Sequence, residues 1–439
     1  MSTSTLLTNL SGNSPQARYV LMKLWLDKGD KLPIRITVQE CAQTMAIPRS
    51  RAGKILNELT ENGYLESQHL TGEKGRPKRQ FNVSPEAGRQ LQALKPTESH
   101  EEPHLSSIRA LLSHRTSNLG ADGHILSPSN IVFLIALLSS ANECGAVYGL
   151  GSTKLMTYTG MTAQRINLQV SKLKKMGLIL ATVPGVTGRQ ILGRTTTSYW
   201  LDLSHELFKL PIPSTIIQKT LVTLDSGDAA HALFDIKSQS RTLRRERARK
   251  SGKQLSNQEA LELATAKLHV EQLMDIPNFD FALVNDFFKE ATNPGLRLAF
   301  QTVVDRVARV IAFSRMAEIP GEHRKSPTIG QLKTLYRELL PVRFQPFKSA
   351  GFPLKENRQM LLRVVFKIAS SLASAILANL PTMGGKFSPV VSFELVPTPR
   401  GSNFRALIAV VYPPESYSSE SKQSNIDTNE LIPETGSES

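Results

Sequence analysis

Residues 49–57 read Arg-Ser-Arg-Ala-Gly-Lys-Ile-Leu-Asn, a run whose polar members have the hydrogen-bonding groups to read a nucleic acid. Arg49, Arg51 and Lys54 can donate to the N7 and O6 acceptors of guanine, Asn57 can pair with the edge of adenine, and the Ser50 hydroxyl suits a base or a phosphate. A second run with the same chemistry holds Thr162, Gln164, Arg165, Asn167, Gln169 and Lys172. Each run is followed by a loop rich in Gly and Arg. Lys74, Arg76, Lys78 and Arg79 belong to the first loop, Arg189 and Arg194 to the second, and all six suit phosphates or a minor groove. Residues 237–253 carry eight basic side chains against one acidic, including Arg241, Arg244, Arg245, Arg247 and Arg249. Such a stretch neutralises phosphates without reading sequence, or stands as a solvated arm.

Other chemistries find less support. Gly149 and Gly151 followed by Ser152-Thr153-Lys154 lack the spacing of a phosphate-binding loop. His100 and His104 are separated by Pro103 and have no further metal ligands beside them. Asp275, Asp280, Asp286 and Glu290 are spread along amphipathic stretches rather than grouped. Cys41 and Cys144 are too few for a disulfide framework or a cysteine zinc site. The expectation is a binding protein with no catalytic site, no metal and no cofactor.

The elements that must position these residues emerge from a repeat. A shift of 114 residues carries Val20 and Leu24 onto Leu134 and Leu138, Ile47 onto Met161, and Ala52, Leu56 and Leu59 onto Ile166, Val170 and Leu173. Gly63 falls on Gly177. Each copy begins with an apolar helix, 16–26 or 130–139. A short helix follows, 38–45 capped by Thr37 or 153–158 capped by Ser152. After the turns 46–48 and 160–162 comes a third helix, 49–62 or 163–176, with Pro48 expected at its first position and Gly63 or Gly177 as its stop. Inward stripes of Ala52, Ile55, Leu56 and Leu59, and of Ile166, Val170 and Leu173, leave the polar runs facing outward. Strands are expected over 64–69 and 79–83, and over 178–183 and 197–203.

Leu56–Leu94, with Gly63-Tyr64-Leu65, the loop Gly75-Arg76-Pro77-Lys78 and the step Ser84-Pro85-Glu86-Ala87-Gly88 into another helix, resembles bacterial winged helix-turn-helix regulators of the multiple-antibiotic-resistance and arsenic-repressor types. The resemblance covers residues 15–94 well and 128–205 loosely. It implies a three-helix core with a basic wing, acting as a dimer on a palindromic DNA site. Two copies in one chain depart from that pattern, so one protomer would imitate a dimer or one copy would have lost its DNA contact.

At 439 residues, with 53 Lys and Arg against 38 Asp and Glu and a net charge of +15, the chain has length for several cores and a bias toward polyanions. The expected fold is mainly α with small β-wings, as tandem winged helix-turn-helix modules followed by a helical C-terminal domain with a late β-hairpin. The divisions are a flexible N-terminus (1–13), module one (14–95), a linker (96–127), module two (128–210), a basic connecting segment (211–255), the helical domain (256–412) and a disordered acidic tail (413–439). Within the helical domain, helices are expected from 256 to 274, and over 279–291, 294–317, 328–340 and 356–380. Strands at 389–395 and 404–412 form the hairpin. Residues 1–13 lack the form of a secretory signal, and the apolar runs 131–138 and 371–380 are too short or too interrupted to span a bilayer.

The expected role is sequence-specific binding of double-stranded DNA in the cytoplasm at the nucleoid, by a homodimer with no membrane partner. Recognition helices would lie in the major groove and wings on the backbone or minor groove, most simply in a transcription regulator. No small-molecule effector is named by the sequence. The alternative is a plasmid or mobile-element replication initiator with tandem winged helices; further rivals are a nucleic-acid enzyme and a protein-only adaptor.

Overall fold

A computed structural model describes residues 3–28, 34–45, 47–70, 78–91, 103–113, 126–186, 195–208, 216–223, 256–258, 261, 294–316, 354–384, 390–397 and 404–411. It is a mainly helical fold with small antiparallel sheets. The chain opens with α1 (Thr3–Asn9) and α2 (Pro15–Lys28). Then come β1 (Arg35–Thr37), α3 (Val38–Thr44), α4 (Arg49–Glu61), β2 (Leu65–Leu70), β3 (Lys78–Val83) and α5 (Pro85–Leu91). The strands form an antiparallel sheet in the order β1-β3-β2. After α6 (Leu105–Ser113) the same succession returns. It runs α7 (Pro128–Leu138), β4 (Ala146–Val147), α8 (Ser152–Thr159), α9 (Ala163–Lys175), β5 (Ile179–Val183) and β6 (Ser198–Leu201), again with the last strand central, β4-β6-β5.

The two units share one interior. Residues 17–25 of α2 and 129–138 of α7 are buried without a break. A helix buried all round must be covered by other elements rather than by water. In this chain the two helices pack on one another and on α6, so a single apolar cluster runs through both units. Arg18, on α2, is 1% exposed. Its Nε donates to Asn13 O (3.0 Å) and its Nη1 to Leu7 O (3.1 Å) and to Thr157 O on α8 (2.7 Å). Burial pulls its pKa down to about 10, against the opposing pull of Tyr64 and Glu58. Lys23 makes a comparable tie, its ammonium donating to Leu112 O of α6 at 2.7 Å.

Helix ends follow the sequence closely, with two corrections. Thr37 caps α3 in a reciprocal box with Glu40, and Gly63 and Gly177 take positive φ after α4 and α9. Ser152, expected as a cap, is the first helical residue; Gly151 occupies the cap position without a side-chain bond. Pro48 is likewise the cap of α4, not its first residue, because its ψ of 140° is extended.

Three segments differ more. Residues 1–13, expected to be flexible, contain α1, whose Leu6 and Leu7 are buried together with Leu10 just beyond it. The expected linker 96–127 contains α6, which buries Leu105, Ile108, Leu111 and Leu112 at helical spacing. Residues 216–223, placed in a connecting segment, form the edge strand β7 (Ile216–Thr223). It pairs along its length with β9 (Phe404–Val411), which also pairs with β8 (Val390–Val396). The late hairpin is therefore part of a three-stranded sheet. Within the expected helical domain, α10 (Pro294–Met316) and α11 (Leu354–Gly384) pack on each other, and each fully buries small side chains, Ala308 and Ala312 on the one and Ala369 and Ala373 on the other. Such small side chains let helix axes approach closely. The helices expected over 279–291 and 328–340, most of the one beginning at 256, and the acidic tail lie outside the described residues.

This C-terminal part docks on the second unit. Asn142 Nδ2 donates to Glu394 Oε2 on β8 (2.9 Å), and Arg309 Nη1 on α10 reaches the same oxygen at 3.2 Å. The Cys144 thiol lies against Ser392 Oγ (3.6 Å), and Arg306 sits 4.4 Å above the ring of Tyr148, which packs edge-on to Trp200. His104, dismissed as a ligand, donates from Nε2 to Asn142 O at 2.7 Å.

Two outcomes are expected. Arg18→Met should lower unfolding free energy by about 3 kcal/mol or more, and Arg18→Lys should not restore it, because three carbonyls would be buried with no forked donor; urea denaturation measures both. Burial raises the thiol pKa of Cys41 and of Cys144 from 9.0 to about 12. Above pH 9 the unfolded chain loses thiol protons that the native chain keeps, so this share of stability is present below pH 9 and erodes as pH rises toward 12. Native thiols should resist a water-soluble disulfide reagent at pH 8 and react on denaturation, and the alkaline loss should be shallower in Cys41→Ala.

Candidate nucleic-acid interface

The turn that precedes α9 is held both by its own bonds, Gly160 N–H to Met156 O (2.8 Å) and Met161 N–H to Thr159 Oγ1 (3.3 Å), and by packing. Gly160, in the second turn, has φ +67°, and a Cβ there would lie 2.3 Å from Asn13 O. The left-handed conformation and this close approach both require glycine. The second turn is thus seated on the segment that Arg18 organises, and α9 leaves from a fixed point.

On α4 the inward stripe is as read from the sequence: Ala52, Ile55, Leu56 and Leu59 are buried. Arg49, Ser50, Arg51, Lys54 and Asn57 are exposed together on the opposite side. Glu58 is turned away from them: Ser14 donates to its carboxylate from both its backbone N–H and its hydroxyl, the latter at 2.8 Å. The acid therefore closes the start of α2 and leaves the exposed face of α4 more cationic than its composition suggests. Arg79, from β3, donates to Asn57 Oδ1 (2.8 Å) and to Ser67 Oγ (3.3 Å). Helix and hairpin are joined at that point, and Asn57 presents its amide group with the oxygen already engaged.

On α9 the expected outward residues divide. Gln164 and Asn167 are exposed, and the Thr162 hydroxyl caps the helix by accepting from Arg165 N–H at 3.4 Å. Arg165 Nη2 donates to Ser129 Oγ at 2.6 Å. Lys172 Nζ donates to Asn130 Oδ1 at 3.1 Å, and Asn130 donates from Nδ2 to Gln169. These three side chains are tied to the start of α7, where Asn130 also completes a capping box with Ser127. A helical wheel could not reveal this, because the neighbour lies on another helix 36 or more residues away. Sequence reading also passed over Leu168, Ser171, Lys174 and Lys175, all exposed on α9. The signal available was the absence of any acid from Ala163–Lys175 beside four basic residues.

Of the loop residues, Lys78 begins β3 and Arg79 lies on it. Lys74, Arg76, Arg189 and Arg194 lie outside the described residues, as do Arg241, Arg244, Arg245, Arg247 and Arg249. The base of the second loop is described: Val186 and Thr195 bond to one another through Thr195 N–H to Val186 O (2.8 Å) and Val186 N–H to Thr195 Oγ1 (2.9 Å). Among the described residues no cluster of His, Cys, Asp or Glu could hold a metal, and no helix is long and apolar enough to cross a membrane.

The structural and the free positions should separate on mutation. Asn130→Ala should cost about 1–2 kcal/mol through loss of the cap and its two ties to α9. Gln164→Ala should stay within about 0.5 kcal/mol of the parent. Urea unfolding midpoints of the two variants measure the difference. Compared with known proteins, the chain matches no family model, no curated protein and no solved structure.

Proposed function

We propose that this chain is a sequence-specific double-stranded DNA-binding protein built on tandem winged helix-turn-helix modules, with α4 and α9 as the helices that enter the major groove. One observation carries the reading. A helix, a tight turn, a second helix with an exposed cationic face and an antiparallel hairpin occur twice, 114 residues apart, with the same central strand in each sheet. A helix after a turn is the element whose exposed side chains reach base edges, and the hairpin beside it meets the backbone or minor groove. Arg49, Arg51 and Lys54 on α4 supply the charge in the first unit, and Arg165, Lys172, Lys174 and Lys175 on α9 in the second. The net charge of +15 favours the same partner.

Regulation of transcription is the use we favour. Initiation of replication at a plasmid or mobile element is the second reading, and the single core that holds both units in one chain supports it, since two-part sites would be bound without a second copy. Mapping the occupied sites separates the two: promoters in the first case, repeats at an origin in the second.

The binding claim is tested by titrating the full chain onto a duplex across ionic strength. Six or more phosphate contacts would weaken binding by about 10³-fold or more between roughly 50 and 200 mM salt. Replacing Arg49, Arg51 and Lys54 by Ala should flatten the slope of log affinity against log salt by about 2–3. A slope near zero in the parent chain would remove the proposal.

A further inference from the structure

Leu168 is 63% exposed, although it lies near the middle of a regular, well-packed helix. Its position on α9 is opposite the buried pair Ile166 and Leu173. Gln164, Ser171 and Lys175 share its face at helical spacing, with Asn167 and Lys172 at its flanks, and all five are exposed. An apolar side chain is thus held in water at the centre of a patch of hydrogen-bonding and cationic groups.

The 114-residue register places Lys54 of α4 where α9 has Leu168. Ser50 corresponds to Gln164, Asn57 to Ser171, and the buried Ala52 and Leu59 to the buried Ile166 and Leu173. The inward faces of the two helices are therefore equivalent, while their outward centres differ in kind, a cation against a branched hydrocarbon.

Charge complementarity selects the occupant. Lys172 and Lys175 flank Leu168 and Ala163–Lys175 holds no acid, so a polyanion is the partner this face fits, and an apolar protein groove would have to bury those two cations. On the major-groove edge of double-stranded DNA one base presents a hydrocarbon: thymine, through its C5-methyl group. Resting on the double-stranded DNA reading above, we infer that Leu168 packs against a thymine methyl. The two helices then read unlike half-sites, with a guanine facing Lys54 where a thymine faces Leu168, and the preferred site is not a palindrome.

The experiment uses the full-length chain and a pool of duplexes with a randomised core. The best duplex selected is remade with each thymine replaced in turn by deoxyuridine, which removes only the methyl group. For the parent chain, one such position should weaken binding about four-fold, the effect of one buried methyl. Leu168→Ala, which alters an exposed side chain and should keep the parent melting temperature, should bind the thymine and deoxyuridine duplexes equally at that position. Leu168→Lys should select guanine there. Parent and Leu168→Ala proteins that respond alike at every thymine, or that select the same base at every position, overturn this inference alone. A parent chain that retains no duplex overturns it together with the DNA-binding reading.

Discussion

The arrangement of the N-terminal half depends on one guanidinium group held away from water. Arg18 is charged, buried and surrounded by carbonyl oxygens that come from the N-terminal segment and from α8 of the second unit. Desolvation acts against it, as its lowered pKa records, and only a planar fork with several donors could satisfy acceptors in those directions at once. A charge in this position tolerates little displacement, because any carbonyl that moved away would be buried without a donor. It therefore fixes where α1 lies, where α2 meets α8, and where the turn at Gly160 is seated. The exposed faces of α4 and α9 inherit their relative placement from that junction and from the apolar packing of α2 on α7.

The second junction, around Glu394, is of a different kind. Its carboxylate is fully buried on β8 and meets Asn142 from the second unit and Arg309 from α10. An ion pair of this kind contributes little net stability against apolar packing, because the Glu394 charge is stripped of water while Arg309 remains part-exposed. What it does is penalise misplacement, since the buried carboxylate left alone is severely unfavourable. The C-terminal sheet thus has a favoured seat on the second unit, beside β4. Two units of equal topology are made unequal by what covers them.

Much of the candidate site was legible in the sequence because it depends on local periodicity. The stripes Ala52, Ile55, Leu56, Leu59 and Ile166, Leu173 define which side of α4 and α9 faces inward, and a glycine at each end gives the stop. Other features had no such signature. The Ser- and Thr-rich composition of residues 1–13 obscured the leucines of α1, and the polar stretch before α6 obscured its stripe. The partner of β7 lies nearly two hundred residues away, and antiparallel pairing over that distance leaves no local trace. Arg165 and Gln169 face outward by the wheel of their own helix, yet bonds to Ser129 and Asn130 on α7 leave them half-buried, while Lys172 stays exposed as it bonds Asn130. Leu168 was passed over for the opposite reason: an apolar residue is read as core unless its surroundings are known.

The shared interior of α2 and α7 also sets how such a protein would respond to its own abundance. Separate subunits that must meet on a two-part site fill it, when scarce, in proportion to the square of their concentration. Covalent and core-packed linkage replaces that second encounter with a local one at a very high effective concentration. With both exposed helices carried on one shared core, occupancy under the proposed function rises in simple proportion to copy number. A gradual, dose-proportional output would then be built into the hydrophobic seam between the units, and a threshold would need some further assembly to create it.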